Sequence, residues 1–229
     1  MPRIARFVLP GHPHHALQRG NGGQKVFLRD EDYLRYLELL REQSRRHRLR
    51  VIAYCLLPDH VRLVATPADA DSLARAIGGA HFRYAQHFNQ THGRGGHLWG
   101  NRFASCLLEG PAVLQAVRCV ERAPVRARLV RSARRWGWSS AAAHTGEIDF
   151  SGVLDQSLWS RLAADTDWRD LLRRREDAEF AARLDMATST GRPLTTPRFL
   201  ERIETELGRR LHALPPGRPR KRPVGSPRS

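Results

Sequence analysis

Cysteine is scarce here and carries no pattern: Cys55, Cys106 and Cys119 are the only three, an odd number without a C-x-x-C pair. That excludes a disulfide framework and a thiolate zinc centre, and it predicts a reducing, cytoplasmic setting. No apolar run approaches the roughly 20 residues that cross a bilayer, so no membrane partner is expected. The opening MPRIARFVLPG has no uninterrupted hydrophobic stretch of the secretory kind. Acidic residues are the other shortage. Against 39 Lys+Arg stand 23 Asp+Glu, a net charge of +16 and a pI near 11.3, with arginine far outnumbering lysine. A polyanionic partner follows if the surplus is functional, because guanidinium forks grip phosphate bidentately. A codon bias that raises arginine everywhere is the competing explanation.

What is present suffices for one ordinary core and a smaller appendage: 229 residues, 41% of them hydrophobic. HHALQRG predicts a first strand that runs into a glycine-rich turn. From Asp30 the apolar spacing of Tyr33, Tyr36, Leu37 and Leu40 predicts an amphipathic helix with acids in its first turn and bases at its end. Val51 to Leu57 and Val61 to Ala65 flank Pro-Asp-His and read as strand, turn, strand. Alternation puts His60 and Arg62 on one face and Val61, Leu63 and Ala65 on the other. Leu73, Ile77, Ala80, Tyr84 and Phe88 then mark a second helix through Gly78 and Gly79, and Phe103 to Glu109 a fourth strand. The order β-α-β-β-α-β predicts a ferredoxin-like α+β sandwich with an antiparallel sheet. A helix through about Ala123 follows, then a C-terminal helical extension whose last helix starts at Thr196 and Pro197. The expected division is a domain over 1–147, helices over 148–212 and a disordered basic tail over 213–229.

Taken in order, PHHALQRGNGGQKVF, DEDYLRYLELLRE, AYCLLPDHVRLVATP, NQTHGRGGHLWGNRF, RCVERAPVRARLV and WGWSS resemble the REP-associated tyrosine transposases, single-tyrosine transposases of the His-hydrophobic-His nuclease superfamily. The likeness spans about Pro2 to His144, and GRPLTTPRFLERIETELGRRL resembles the family's C-terminal segment. It implies two histidines, two residues apart on a strand, that hold one Mg²⁺ or Mn²⁺ against the scissile phosphate. It also implies a helix tyrosine that attacks phosphorus, leaving a 5′-phosphotyrosine and a free 3′-OH, and a polar side chain one turn later that completes the metal shell. At those positions this chain carries Arg62 beside His60, Cys119 for the tyrosine and Ala123 for an asparagine. Arginine offers a metal no lone pair, and a thiol on an apolar helix edge is usually inert packing. The resemblance therefore implies a DNA-binding protein that holds palindromic or hairpin single strands without cutting them. No cofactor is expected, with His60 the one remaining metal ligand and Mg²⁺ or Mn²⁺ needed only by an active enzyme. An active transposase and a hairpin RNA binder stay open as alternatives, and a homodimer is compatible with any of them.

Further candidates come from composition and position. The loop GRGGHLWGNRF mixes a ring with guanidinium, which suits single strands, so Arg94, His97, Trp99 and Arg102 are candidate contacts. Trp99 could equally anchor the loop to the core. Gln18, Arg19 and Asn21 lie in a similar loop and are candidates for gripping phosphate. Arg62, Arg126 and the tail residues Arg220, Lys221 and Arg222 complete the predicted nucleic-acid contacts. Tyr54 and Tyr84 read as core, and His14 and His15 as structural or as additional metal ligands.

Overall fold

The computed structural model describes residues 7–212. Four strands, β1 (His14–Arg19), β2 (Leu49–Leu57), β3 (His60–Pro67) and β4 (Ala104–Leu107), form one antiparallel sheet in the order β2-β3-β1-β4. With α1 (Asp30–Arg46) between β1 and β2 and α2 (Ser72–Thr91) between β3 and β4, this is the predicted β-α-β-β-α-β sandwich. Pro58 and Asp59 close the hairpin, so Leu57 pairs with His60, and a register irregularity between Val51 and Ala53 bends β2.

Local chemistry sets the helix ends. Asp30, Glu31 and Asp32 open α1 where its positive pole lies, and the Asp32 carboxylate accepts from the Leu28 and Arg29 amides at 2.8 and 3.0 Å. Gly78 and Gly79 do not interrupt α2. A β-carbon on Gly79 would stand 2.6 Å from Gln43 Oε1, so the missing side chain lets α1 and α2 approach.

Helices cover both faces of the sheet. On one, Val61, Leu63 and Ala65 meet Tyr36, Leu40, Tyr84 and Phe88 of α1 and α2. On the other, Ile52, Cys55, Val64 and Cys106 meet α3 (Ala112–Glu121) and helices from beyond residue 148. Burial on both sides explains why β2 reads as a nearly continuous apolar run. The chain passes through the short helices α4 (Ala123–Arg126) and α5 (Ala141–His144), then α6 (Gln156–Leu162), α7 (Trp168–Arg173), α8 (Ala178–Thr190) and α9 (Pro197–Leu207). Trp159, Trp168, Leu172 and Leu184 of α6 to α8 lie in the same core as the second sheet face. Buried Glu121 ties α3 to this region, accepting Ser140 Oγ at 2.5 Å and Trp168 Nε1 at 2.8 Å. Thr196 caps α9 with Pro197 at its first position, as expected, and accepts the Phe199 amide at 3.4 Å. Among the described residues no helix is long and apolar enough to cross a membrane.

Candidate functional site

His60 opens β3 opposite Arg19, and its Nδ1 meets Asp59 Oδ1 at 2.7 Å. Two residues on, Arg62 points to the same face, as alternation requires. Its Nε donates to His60 Nε2 at 3.4 Å, while Nη1 and Nη2 donate to the two carboxylate oxygens of Asp185 at 2.7 and 3.3 Å. Asp185 belongs to α8, which lies across this face, and one turn later Thr188 receives His15 Nδ1 at 2.7 Å. Arg62 is 3% exposed. Expected to grip phosphate, it is instead enclosed and bound to an acid that lies 123 positions away in sequence. Spacing could not have found Asp185, because the pairing joins two segments 123 positions apart.

Electrostatics follow from this enclosure. Burial, and then the Arg62 charge, lower the His60 pKa, and the same two causes bring His15 to about 3. Burial alone would raise Asp185, but the Arg62 hydrogen bond and charge hold it below the usual carboxylate range. A divalent cation does not fit these residues. The His60 Nε2 lone pair faces a guanidinium, and both Asp185 oxygens are taken by the same group. Among the described residues no cluster of three or more His, Cys, Asp or Glu side chains could hold a metal.

Cys119 of α3 is 3% exposed and its thiol donates to Glu176 Oε1 at 3.2 Å. Burial and then the Glu176 carboxylate push that thiol up to about 12, so it stays protonated at neutral pH. Arg126 binds Glu176 too, which occupies this predicted nucleic-acid contact with an intramolecular partner. Ala123 is 3% exposed and offers only a methyl. The rings of Tyr54 and Tyr84 are core, as expected.

Beside the His60 end of β3 the two glycine-rich loops meet. Gly20 bridges to Trp99, the Asn21 amide donates to Leu98 O at 2.9 Å and the Gly100 amide to Arg19 O at 3.0 Å. Gln18, 5% exposed, uses its amide to hold Arg19 O and Asn101 O, both at 3.0 Å, so it positions the loops from within. Gly20 has no alternative: a β-carbon there would stand 2.1 Å from Gln24 O. Between the loops lies a cleft of about 610 Å³, with Arg19, Asn21, His97, Asn101 and Arg102 exposed on its walls. Trp99 also lines it but is half-buried. Its Nε1 donates to His81 O at 2.9 Å and its ring lies 4.6 Å from that of His81, so it does anchor the loop. Arg94 stands outside the cleft, 5.7 Å over the Phe88 ring. Arg220, Lys221 and Arg222 lie outside the described residues.

Comparison with known proteins places this geometry. Residues 15–121 match the model of the IS200-like transposase family, an interval that runs from the second residue of β1 through β4 to the end of α3. Among solved structures, a REP-associated tyrosine transposase bound to a REP hairpin is similar in fold. It is 16% identical, with 63% of this chain and 85% of that one covered and a TM-score of 0.51. A putative transposase from Deinococcus radiodurans R1, 20% identical over 56% of this chain and 92% of that one, gives a TM-score of 0.35. No curated protein matches. Over the α+β unit from His15 to Glu121, the chain resembles the IS200-like transposases.

Proposed function

We propose that the protein binds single-stranded or hairpin DNA in the cleft between its two glycine-rich loops and does not cleave it. The observation that carries the binding is the convergence of Arg19 and Arg102, 83 positions apart, on one exposed polar cleft beside the His60 end of β3. Guanidinium pairs grip phosphate bidentately, while Asn21, Asn101 and His97 offer donors and acceptors to base edges. That a protein of similar fold was solved on a REP hairpin supports the choice of ligand. The absence of cleavage is argued from Arg62, whose guanidinium stands against His60 Nε2, and from Cys119, a protonated thiol at the position the resemblance gives to the nucleophile.

Labelled DNA hairpins test both parts. Arg19→Ala with Arg102→Ala is expected to weaken binding at least tenfold and to lower the slope of log affinity against log salt by about 1.4–1.8, roughly 0.7–0.9 per lost phosphate contact. No denaturation-resistant protein-DNA adduct should form with Mn²⁺. Wild-type binding by the double variant removes the cleft from the reading. An adduct that disappears in Cys119→Ala shows an active enzyme, and preference for an RNA hairpin in competition replaces DNA as the ligand.

A further inference from the structure

A second basic concavity lies away from the cleft, where α1 ends and β2 begins. Arg41, Ser44, Arg45 and Arg48 stand at i, i+3, i+4 and i+7, on one face of the last two turns of α1 and just past its end. With Arg50 of β2 and the backbone of 152–156 they line a pocket of about 410 Å³. Four of its side chains are guanidiniums and one, Asp155, is a carboxylate. That carboxylate is committed to Arg50 Nε at 2.5 Å, and Arg48 reaches Asp69 only at 3.4 Å in an exposed contact. Arg41 and Arg45 meet no carboxylate among the described residues, although like charges one turn apart repel.

Two further observations point to a missing anion. Ser44, in the pocket wall, is 4% exposed and its buried hydroxyl has no hydrogen-bond partner, a costly arrangement for a buried donor. Arg48 has φ 52°, a left-handed conformation unusual for a residue with a side chain, and it turns the chain so that Arg48 and Arg50 both border the same space. We propose that this pocket is a second phosphate-binding site, with Arg41 and Arg45 as the fork and Ser44 Oγ as a donor, and that a backbone phosphate of the bound DNA fills it. The choice of DNA as the source of that phosphate rests on the function proposed above. Because Arg50 pairs with Thr66 and Arg19 with His60, the pocket and the cleft flank opposite ends of β3. Along the strand that is roughly 20 Å at about 3.3 Å per residue. A nucleic-acid strand of about six nucleotides spans such a distance at ~3.4 Å each.

Inorganic phosphate probes the site independently of DNA. At matched ionic strength against chloride, phosphate should raise the unfolding midpoint of the full chain and of an Arg161→Gln, Arg173→Gln control, which loses the same charge elsewhere. It should not raise that of Arg41→Gln, Arg45→Gln. Ser44→Ala keeps every charge and should weaken phosphate binding about tenfold, which separates the site from general basicity. With a DNA hairpin, Arg41→Gln, Arg45→Gln should lower the salt slope by about 0.7–0.9 more than the control does, the loss of one phosphate contact. Equal phosphate stabilisation of all variants overturns the site. Phosphate binding at the site with an unchanged hairpin slope overturns DNA as its occupant and assigns it to a small phosphorylated molecule. Neither result depends on Arg19 or Arg102, so failure of the cleft is read separately.

Discussion

Arg62 shows how little a residue's type says about its role before its surroundings are known. Its place on the strand beside His60 was legible from alternation, and its charge suggested an exposed grip on phosphate. The fold closes α8 over it, and the charge is spent on Asp185. Removing Asp185 alone strands a buried guanidinium. Because the Asp185 side chain is 44% exposed, water softens the loss, and Asp185→Ala is expected to cost about 1–3 kcal/mol in urea unfolding. Replacing both partners, Arg62→Met with Asp185→Leu, should recover most of it, since two apolar groups leave no orphaned charge. If the single variant is as stable as the wild type, the pair does not hold α8 on the sheet. Arg126 makes the same point with Glu176: both arginines were predicted to face nucleic acid, and both face acids supplied by the C-terminal part of the chain.

At the scale of the element, the glycine-rich loops were recognisable as loops from their composition, and their residues as candidate contacts. Their meeting was not recognisable, because the bridge between Gly20 and Trp99 and the amide of Gln18 that holds Asn101 join segments about 80 positions apart. Gly20 is the point where this element is most easily broken. The β-carbon of Gly20→Ala would collide with the Gln24 carbonyl, a backbone atom that cannot swing aside. A cost of about 1–3 kcal/mol is expected, together with weaker hairpin binding as Arg19 and Asn21 move away from Arg102. Binding at wild-type strength by a folded Gly20→Ala protein would show that the loop conformation does not matter to the ligand. The sequence allows Trp99 to be a stacking platform or an anchor, and its hydrogen bond to His81 O gives it the second role.

For the whole molecule, enclosure of the sheet on both faces has a consequence for acid stability. His14, His15 and His81 are buried, and desolvation lowers their pKa values from 6.5 to about 4, 3 and 3. In the unfolded chain each takes up a proton once the pH falls below 6.5, whereas the folded protein resists until about 4 or 3. The unfolded state then binds more protons, so stability is full above pH 6.5 and falls as the pH drops. Each histidine contributes at most about 1.4 kcal/mol per pH unit in that window. Urea midpoints should therefore decline steeply from pH 6.5 towards 4, and His81→Phe should flatten the decline; a midpoint independent of pH over this range would mean that the histidines are solvated. The sequence by itself determined the order of strands and helices, the amphipathic faces of α1 and α2, the cap of α9 and the basic balance. These are local properties, set by periodicity, turn residues and charge within a few positions. Only the tertiary structure decided that helices beyond residue 148 share the core of the second sheet face, that Asp185 and Glu176 neutralise Arg62 and Arg126, and that two distant loops form one cleft. Which buried charge finds which partner depends on contacts between segments far apart in the chain, and local pattern carries no information about them.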